Sequence, residues 1–560
     1  MTVKERSAED LFEEFKEVSI TEFFRKNRAH LGYSGKLRSL TTIIHEIVTN
    51  SLDACEEAGI QPEIDVELRQ LGDEHYRFFV RDNGPGIPIK HISSVFGKML
   101  AGTKFHRNVQ LRGQQGIGVA GVTLFSQITT GKPMKIKTST GNGKVHDIQL
   151  MTDISGNKAD ILEQTEYSQY WRGTELEGEL KGVKFNLSER GPSEYLRRTA
   201  IANPHTKITF IDPEGRKTVF ERSSDKVPKP PKEIKPHPKG IEVDDILSMS
   251  KATKARRVNS FLVAEFSRIS NAKVKEIQEL VSFDLKKNPR RITWAECEEL
   301  VKAIEQVKFL APPTEGLQPI DEEHIREAVL NILDPEFEVV LTRSPKVYSG
   351  GIPFQVEVAI AYGGHAGRNI GEGTKAEIMR FANRAPLLFD AGACAITKAV
   401  NEIDWKRYGI RDFDNSPVTL FINLISTHIP YTSAGKQSIT HDREVVKEIK
   451  FALMDVGRKF QIYHSKKRKA FEQEARRQTL LKYSTELASG LAKLTGEDEK
   501  KILKDLIALI EEKLKLDTQL ELLEEDEVEE TVEEKVIEEV PVEEEVIEEV
   551  VVEEEADRRA

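Results

Sequence analysis

Glu46, Asn50 and Asp53 stand at i, i+4 and i+7 within residues 39–54, a spacing that places all three on one stripe of a helix. A carboxylate, a carboxamide and a second carboxylate so arranged can hold a magnesium ion through oxygen, and the glutamate can take a proton from a positioned water. A polar face turned to solvent has the same pattern, so the stripe decides nothing alone. Asp82-Asn83-Gly84-Pro85-Gly86-Ile87 adds a carboxylate at the end of a β-rich run. Such a group can accept a hydrogen bond from an exocyclic amine like that of adenine, while Gly84 and Gly86 let the backbone approach a planar base. Asn-Gly and Pro-Gly pairs also make ordinary turns. Arg112-Gly113-Gln114-Gln115-Gly116-Ile117-Gly118-Val119-Ala120-Gly121 then sets four glycines in nine residues before an apolar run. Backbone N–H groups freed there can cradle phosphates at a helix start. No Gly-Lys-Ser/Thr follows, which excludes the Walker pattern. Gly102-Thr103-Lys104 and Gly173-Thr174 are further candidates for one pocket.

These side chains need elements to hold them. Apolar residues at Leu40, Ile43, Ile44, Ile47, Val48 and Leu52 predict a helix with one buried face. Residues 63–68 and 76–81 read as strands. The five prolines of residues 227–240 predict a stiff extended linker and a domain boundary. Residues 241–310 read as all-helical, with Thr293 and Glu296 as a capping box opening a helix from Trp294 to Val307. Ala311-Pro312-Pro313-Thr314 marks a second boundary. Beyond it an α+β pattern returns, strand-like at 336–342, 354–362 and 418–425 and helix-like at 383–403. Long charged helices are expected from Asp442 to about Lys515. The closing Val-Glu-Glu and Ile-Glu-Glu repeats predict a tail that is disordered or binds a basic partner.

Composition narrows the class. A 560-residue chain accommodates three or four domains, and 38% hydrophobic with 31% charged residues describes a soluble protein. No run approaches the ~18 apolar residues of a membrane span. The charged N-terminus does not read as a secretory signal, and Cys55, Cys297 and Cys394 are too dispersed for a disulfide framework or a zinc site. A reducing cytoplasmic location is the expectation. The net charge of −11 hides a division: residues 521–560 hold 20 acidic and 3 basic groups, leaving 79 basic against 73 acidic elsewhere. A mildly basic body is compatible with a polyanionic partner.

Taken in order over about residues 39–175, the Glu–Asn helix, the Asp-x-Gly-x-Gly turn, the glycine loop and the late Gly-Thr resemble the GHKL ATPase superfamily of gyrase, the heat-shock chaperone, histidine kinases and MutL proteins. Gly113–Val119, Arg380-Phe381-Ala382-Asn383-Arg384-Ala385-Pro386-Leu387-Leu388-Phe389 and Ser433-Ala434-Gly435-Lys436-Gln437-Ser438-Ile439 more closely resemble the B-subunit family of archaeal type IIB DNA topoisomerase VI. So does Glu22-Phe23-Phe24-Arg25-Lys26-Asn27-Arg28 to Leu31-Gly32-Tyr33, a strap exchanged between protomers in that family.

The resemblance implies an α+β fold: a strap (1–35), a Bergerat-type ATPase α/β sandwich (36–226), the linker (227–240), a helix–two-turn–helix insert (241–310), an S5-like α/β transducer (311–480), a helical extension (481–520) and an acidic tail (521–560). It also implies ATP and Mg2+ as cofactors. Glu46 would be the general base and Asn50 the metal ligand. Asp82 and Gly86 would meet adenine; Asp53, Thr103, Lys104, Gly113, Gln114, Gln115, Gly116, Ile117, Gly118, Val119 and Thr174 would complete the nucleotide pocket. Lys436 would reach the γ-phosphate. The implied partners are a DNA-cleaving A subunit in an A2B2 assembly, a second copy of this chain on ATP binding, and double-stranded DNA at the nucleoid. A MutL-like repair clamp and a chaperone-like clamp are the alternatives. The basic clusters 251–257 and 286–291 are candidate DNA contacts, or equally a solvated face.

Overall fold

The computed structural model describes residues 22, 24, 26–99, 108–113, 116–153, 158–230, 232–371 and 373–513. Helix α1 (Lys36–Glu57) buries Leu40, Ile43, Ile44, Val48 and Leu52 completely. Each such burial is worth ~1.5–3 kcal/mol, so the apolar face fixes which way the polar stripe points. Strands β1 (Glu63–Gly72) and β2 (His75–Asp82) follow, then helices α2 (Ile89–Gly97) and α3 (Gly118–Thr130). Next come β3 (Met134–Thr140), β4 (Lys144–Asp153), β5 (Lys158–Ser168) and β6 (Arg172–Lys181). Helix α4 (Pro192–Ala202), β7 (Lys207–Ile211) and β8 (Lys217–Phe220) close the unit. The eight strands are ordered β5-β4-β3-β6-β2-β1-β7-β8, antiparallel except for the parallel β1–β7 pair. The helices cover one face, and Phe78, Val80, Ile136, Leu180 and Tyr195 lie in the shared core.

Strand parity places the candidate carboxylate. Tyr76, Phe78, Val80 and Asp82 share the buried side of β2, so the alternation that puts Phe78 in the core brings Asp82 inward at the strand's end. Opposite it stands Thr174 of β6, again on the buried parity.

Residues 227–230 and 232–237 carry no regular structure, as five prolines dictate. Helices α5 (Val243–Ala252), α6 (Val258–Glu265), α7 (Asn271–Leu280) and α8 (Trp294–Gln306) then enclose their own core around Phe261, Leu262, Ile277 and Leu300. The capping box at the start of α8 is present: Glu296 N donates to Thr293 Oγ1 at 3.3 Å and Thr293 N to Glu296 Oε2 at 2.8 Å.

The second α+β unit runs α9 (Glu322–Leu333), β9 (Phe337–Thr342), β10 (Lys346–Tyr348), β11 (Ile352–Tyr362), β12 (Arg368–Ile370), β13 (Gly373–Lys375), β14 (Glu377–Ala382), β15 (Ala385–Pro386), α10 (Ala395–Asn401) and β16 (Val418–Ser426). Its sheet is ordered β10-β11-β16-β14-β15, with β9 also on β11; β12 and β13 pair separately. The three expected strands form. The helix-like reading of 383–403 does not hold, because only Ala395–Asn401 is α-helical. Asn383 and Arg384 both take positive φ and turn the chain into β15, where Pro386 has no N–H for a helix. Helix α11 (Arg443–Thr495) is continuous, and residues 499–513 form another helix. The described residues up to Gln461 form one compact unit and those from Ile462 to Lys513 a second. No helix among the described residues is long and apolar enough to cross a membrane.

Candidate nucleotide site

Asp82 is held from three directions. Ser51 Oγ donates to its Oδ2 at 2.9 Å, while Gly84 N and Thr174 N donate to Oδ1 at 3.0 and 3.1 Å. Burial pushes this carboxyl above its ordinary value, although the three donors favour its charged form. The glycines beside it are there by necessity. A Cβ on Gly86, at φ 71°, would stand 2.1 Å from the Ser139 carbonyl oxygen; one on Gly173 would stand 2.1 Å from that of Asp82. Thr138 Oγ1 accepts from Ile87 N at 2.8 Å and so fixes the other end of the turn.

Glu46 and Asn50 are both half-buried on α1. Asn50 Nδ2 donates to the Glu46 carbonyl at 2.6 Å, and its Oδ1 faces Gly113, where an added Cβ would lie 3.5 Å away. The Glu46 carboxylate abuts the first residue of α3: a Cβ on Gly118 would sit 2.0 Å from Glu46 Oε2. Two tyrosines, Tyr33 buried and Tyr431 half-buried, lie within electrostatic reach of this carboxylate. The Tyr33 and Tyr431 hydroxyls are driven up by burial first and by the Glu46 charge second. Tyr33 also donates to the Gly118 carbonyl at 3.5 Å and contacts Phe24, which is buried in its own chain.

Asp53 faces a different group from the one its stripe suggests. Its Oδ1 meets Arg112 Nη1 at 2.9 Å, and its Oδ2 accepts from Gly113 N at 3.1 Å. It thereby sets the base of the glycine loop. Gly116 takes φ 58°, Ile117 caps α3, and Gly118 and Val119 begin it. Thr103, Lys104, Gln114 and Gln115 lie outside the described residues. Lys436, 324 positions beyond Arg112, is buried with its backbone at φ 50°, and its Nζ donates to the Arg112 carbonyl at 3.2 Å. A cation from the second α+β unit therefore stands at the root of the glycine loop of the first. Among the described residues no three His, Cys, Asp or Glu side chains cluster as a metal cage. Asn50 Oδ1 is a protein oxygen that could meet a magnesium ion.

Two family models match: the histidine kinase-, DNA gyrase B- and HSP90-like ATPase over residues 35–153, and the topoisomerase VI B subunit transducer over residues 312–476. The B subunit of type 2 DNA topoisomerase 6 from Pyrococcus horikoshii is 49% identical over 569 residues, covering 93% of this chain and 99% of that protein. The chain belongs to the topoisomerase VI B-subunit family. The protein of the same name in Methanothermobacter thermautotrophicus is 48% identical over 516 residues, covering 91% and 98%. The 43K ATPase domain of Thermus thermophilus gyrase B aligns with a TM-score of 0.34 at 15% identity, over 82% of this chain and 97% of that one. Family membership makes the chain an ATP-hydrolysing topoisomerase subunit with a GHKL ATPase region.

Several residues that build this B-subunit site carry no sequence signal of their own. Ser51 and Thr138 are ordinary hydroxyls until the fold brings them to Asp82 and Ile87. Arg112 did offer a clue, since an arginine between apolar and glycine residues needs carboxylates if it is buried. Its partners are Asp53 and Glu56, one turn apart on α1.

Proposed function

We propose that Glu46 activates the attacking water, that Asn50 supplies the protein oxygen to a magnesium ion, and that Asp82 accepts the adenine amine. Magnesium, when bound, would neutralise phosphate charge. Gly113 and Gly116–Val119, with Thr103, Lys104, Gln114 and Gln115, would enclose the phosphates, and Lys436 would report the γ-phosphate. The observation that carries this reading is the Lys436 contact with the Arg112 carbonyl, which ties the second α+β unit to the loop base. A γ-phosphate adds charge and acceptors that draw a lysine more strongly than ADP does. Loss of that phosphate would free the second unit to move. ATP binding would close two copies of the chain through the strap at Glu22–Tyr33, in an A2B2 assembly whose A subunit cuts DNA at the nucleoid of the cytoplasm.

The test is ATP-dependent strand passage. Mixed with a tyrosine-bearing A subunit, the chain should relax supercoiled DNA with ATP and not without it; failure of every such mixture would refute the gate. DNA contact is proposed at the insert. Val258 N donates to the Lys287 carbonyl and Asn259 N to that of Leu285, both at 2.9 Å, so the clusters 251–257 and 286–291 adjoin. Lys254, Arg256, Arg257, Lys286, Arg290 and Arg291 are candidate phosphate contacts on these two segments. Changing these six to Gln should weaken DNA binding at low salt and flatten its salt dependence by up to ~0.9 per lost phosphate contact. An unchanged slope would remove the insert from the DNA path.

A further inference from the structure

The hairpin between β14 and β15 closes through Asn383 and Arg384, at φ 48° and 67°. Two-residue turns with both positions left-handed favour Asn followed by Gly, because a Cβ is strained there. Arginine holds the glycine position here, and an outlier of this sort points to a task for its side chain. That side chain is buried, and its Nη2 donates to Glu56 Oε2 at 3.0 Å, across 328 positions of sequence. Glu56 Oε1 accepts from Arg112 Nη2 at 2.7 Å and meets His205 Nε2 at 2.9 Å. Burial works to raise the Glu56 carboxyl, but Arg112 and then Arg384, helped by His205, hold it well below the usual carboxylate range. Asn383 adds a direct tie, its Nδ2 donating to the Leu111 carbonyl at 3.1 Å.

Besides this tie at Leu111, the second α+β unit grips Arg112 at the root of the glycine loop in two ways. Lys436 holds the Arg112 carbonyl, and Arg384 holds the Arg112 guanidinium through Glu56.

We propose that Arg384 is a positioning residue for ATP hydrolysis, acting through Glu56 and Arg112 to deliver Lys436 and the glycine loop to the γ-phosphate. The proposal rests on the role given to Lys436 above. Arg384 touches no nucleotide on this reading. Its influence falls on the step that needs the terminal phosphate, and ADP, which lacks that phosphate, does not register it.

The turn itself supplies the test. Arg384→Gly suits the left-handed position and removes the cation; relief of the turn offsets part of the lost buried ion pair, and Arg112 and His205 still hold Glu56, so the variant should fold with a lowered melting temperature. In the full chain it should lower kcat for ATP at least ~10-fold while KM and ADP affinity move less than ~3-fold. Arg384→Lys should restore most of kcat. In a Lys436→Met background, measured by single turnover, Arg384→Gly should cost less than ~2-fold more, because both variants remove one function. Should Arg384→Gly be unstable, Glu56→Gln keeps the shape of the site and should give the same kcat loss. A wild-type rate in Arg384→Gly, or an equal fold loss in both backgrounds, would overturn the proposal. If Lys436→Met alone leaves turnover unchanged, the Lys436 role fails and this proposal falls with it, a result readily told apart from failure of Arg384 alone.

Discussion

Glu46→Gln will stop ATP turnover and leave ATP bound. The substitution keeps the length and planar end of the side chain, so its packing beside Gly118 is preserved. What it removes is the negative charge that makes the carboxylate basic enough to take a proton. General bases contribute ~10²–10⁴ in rate, and kcat should fall by that factor. This corresponds to about 2.7–5.5 kcal/mol of barrier. Affinity for ATP should be nearly unchanged, because Asp82, proposed to meet adenine, and Gly118 and Val119 of the loop proposed to hold phosphates lie on other elements. Phosphate release at saturating ATP, paired with a fluorescent-nucleotide binding curve, separates the two effects. A kcat within about 3-fold of wild type would mean that another group activates the water. A parallel collapse of binding would mean that Glu46 holds the nucleotide instead.

The prediction depends on geometry that was only half legible in the residue string. The helix carrying Glu46 could be read because its apolar face repeats with helical period and its polar stripe is local. Asp82 could be read for a similar reason: the strand before it alternates, and the glycines after it announce a turn. The meaning of Asp53 could not. Its stripe joins it to Glu46 and Asn50, yet its carboxylate is claimed by Arg112 and by Gly113 N, 59 and 60 positions away. Nothing in local periodicity marks a partner at that distance.

The stretch 383–403 fails for a related reason. Its alanines and leucines suit a helix, but Asn383 is fixed by Leu111 and Ser426 and Arg384 by Glu56. Tertiary bonds hold both residues left-handed and override the local preference. Sequence reading thus found the groups proposed to face the nucleotide and missed those that set their positions. The second set is assembled across sequence distance, and that same assembly joins the two α+β units.

Asp82→Asn should cost nucleotide affinity with little loss of fold. The carboxylate accepts from Gly84 N and Thr174 N on one oxygen and from the Ser51 hydroxyl on the other. An asparagine can keep its carbonyl toward the two amides, and its NH2 can donate to Ser51, because a hydroxyl also accepts. The internal network therefore survives by reversing one bond. The charge does not survive, nor does the acceptor offered to an adenine amine. Hydrogen bonds to charged groups contribute ~1.5–3 kcal/mol. At 1.4 kcal/mol per decade, the dissociation constants for ATP and ADP should both rise roughly 10- to 150-fold. Burial already raises this carboxyl above its ordinary value, so removing the charge relieves a desolvation cost and should leave the melting temperature level or higher. The two nucleotides serve as an internal control, since a contact with the base weakens both alike and one with the γ-phosphate weakens ATP alone. Titration of each nucleotide into the variant decides the matter: unchanged ADP affinity would remove Asp82 from the base pocket, and a loss confined to ATP would move it to the phosphate end.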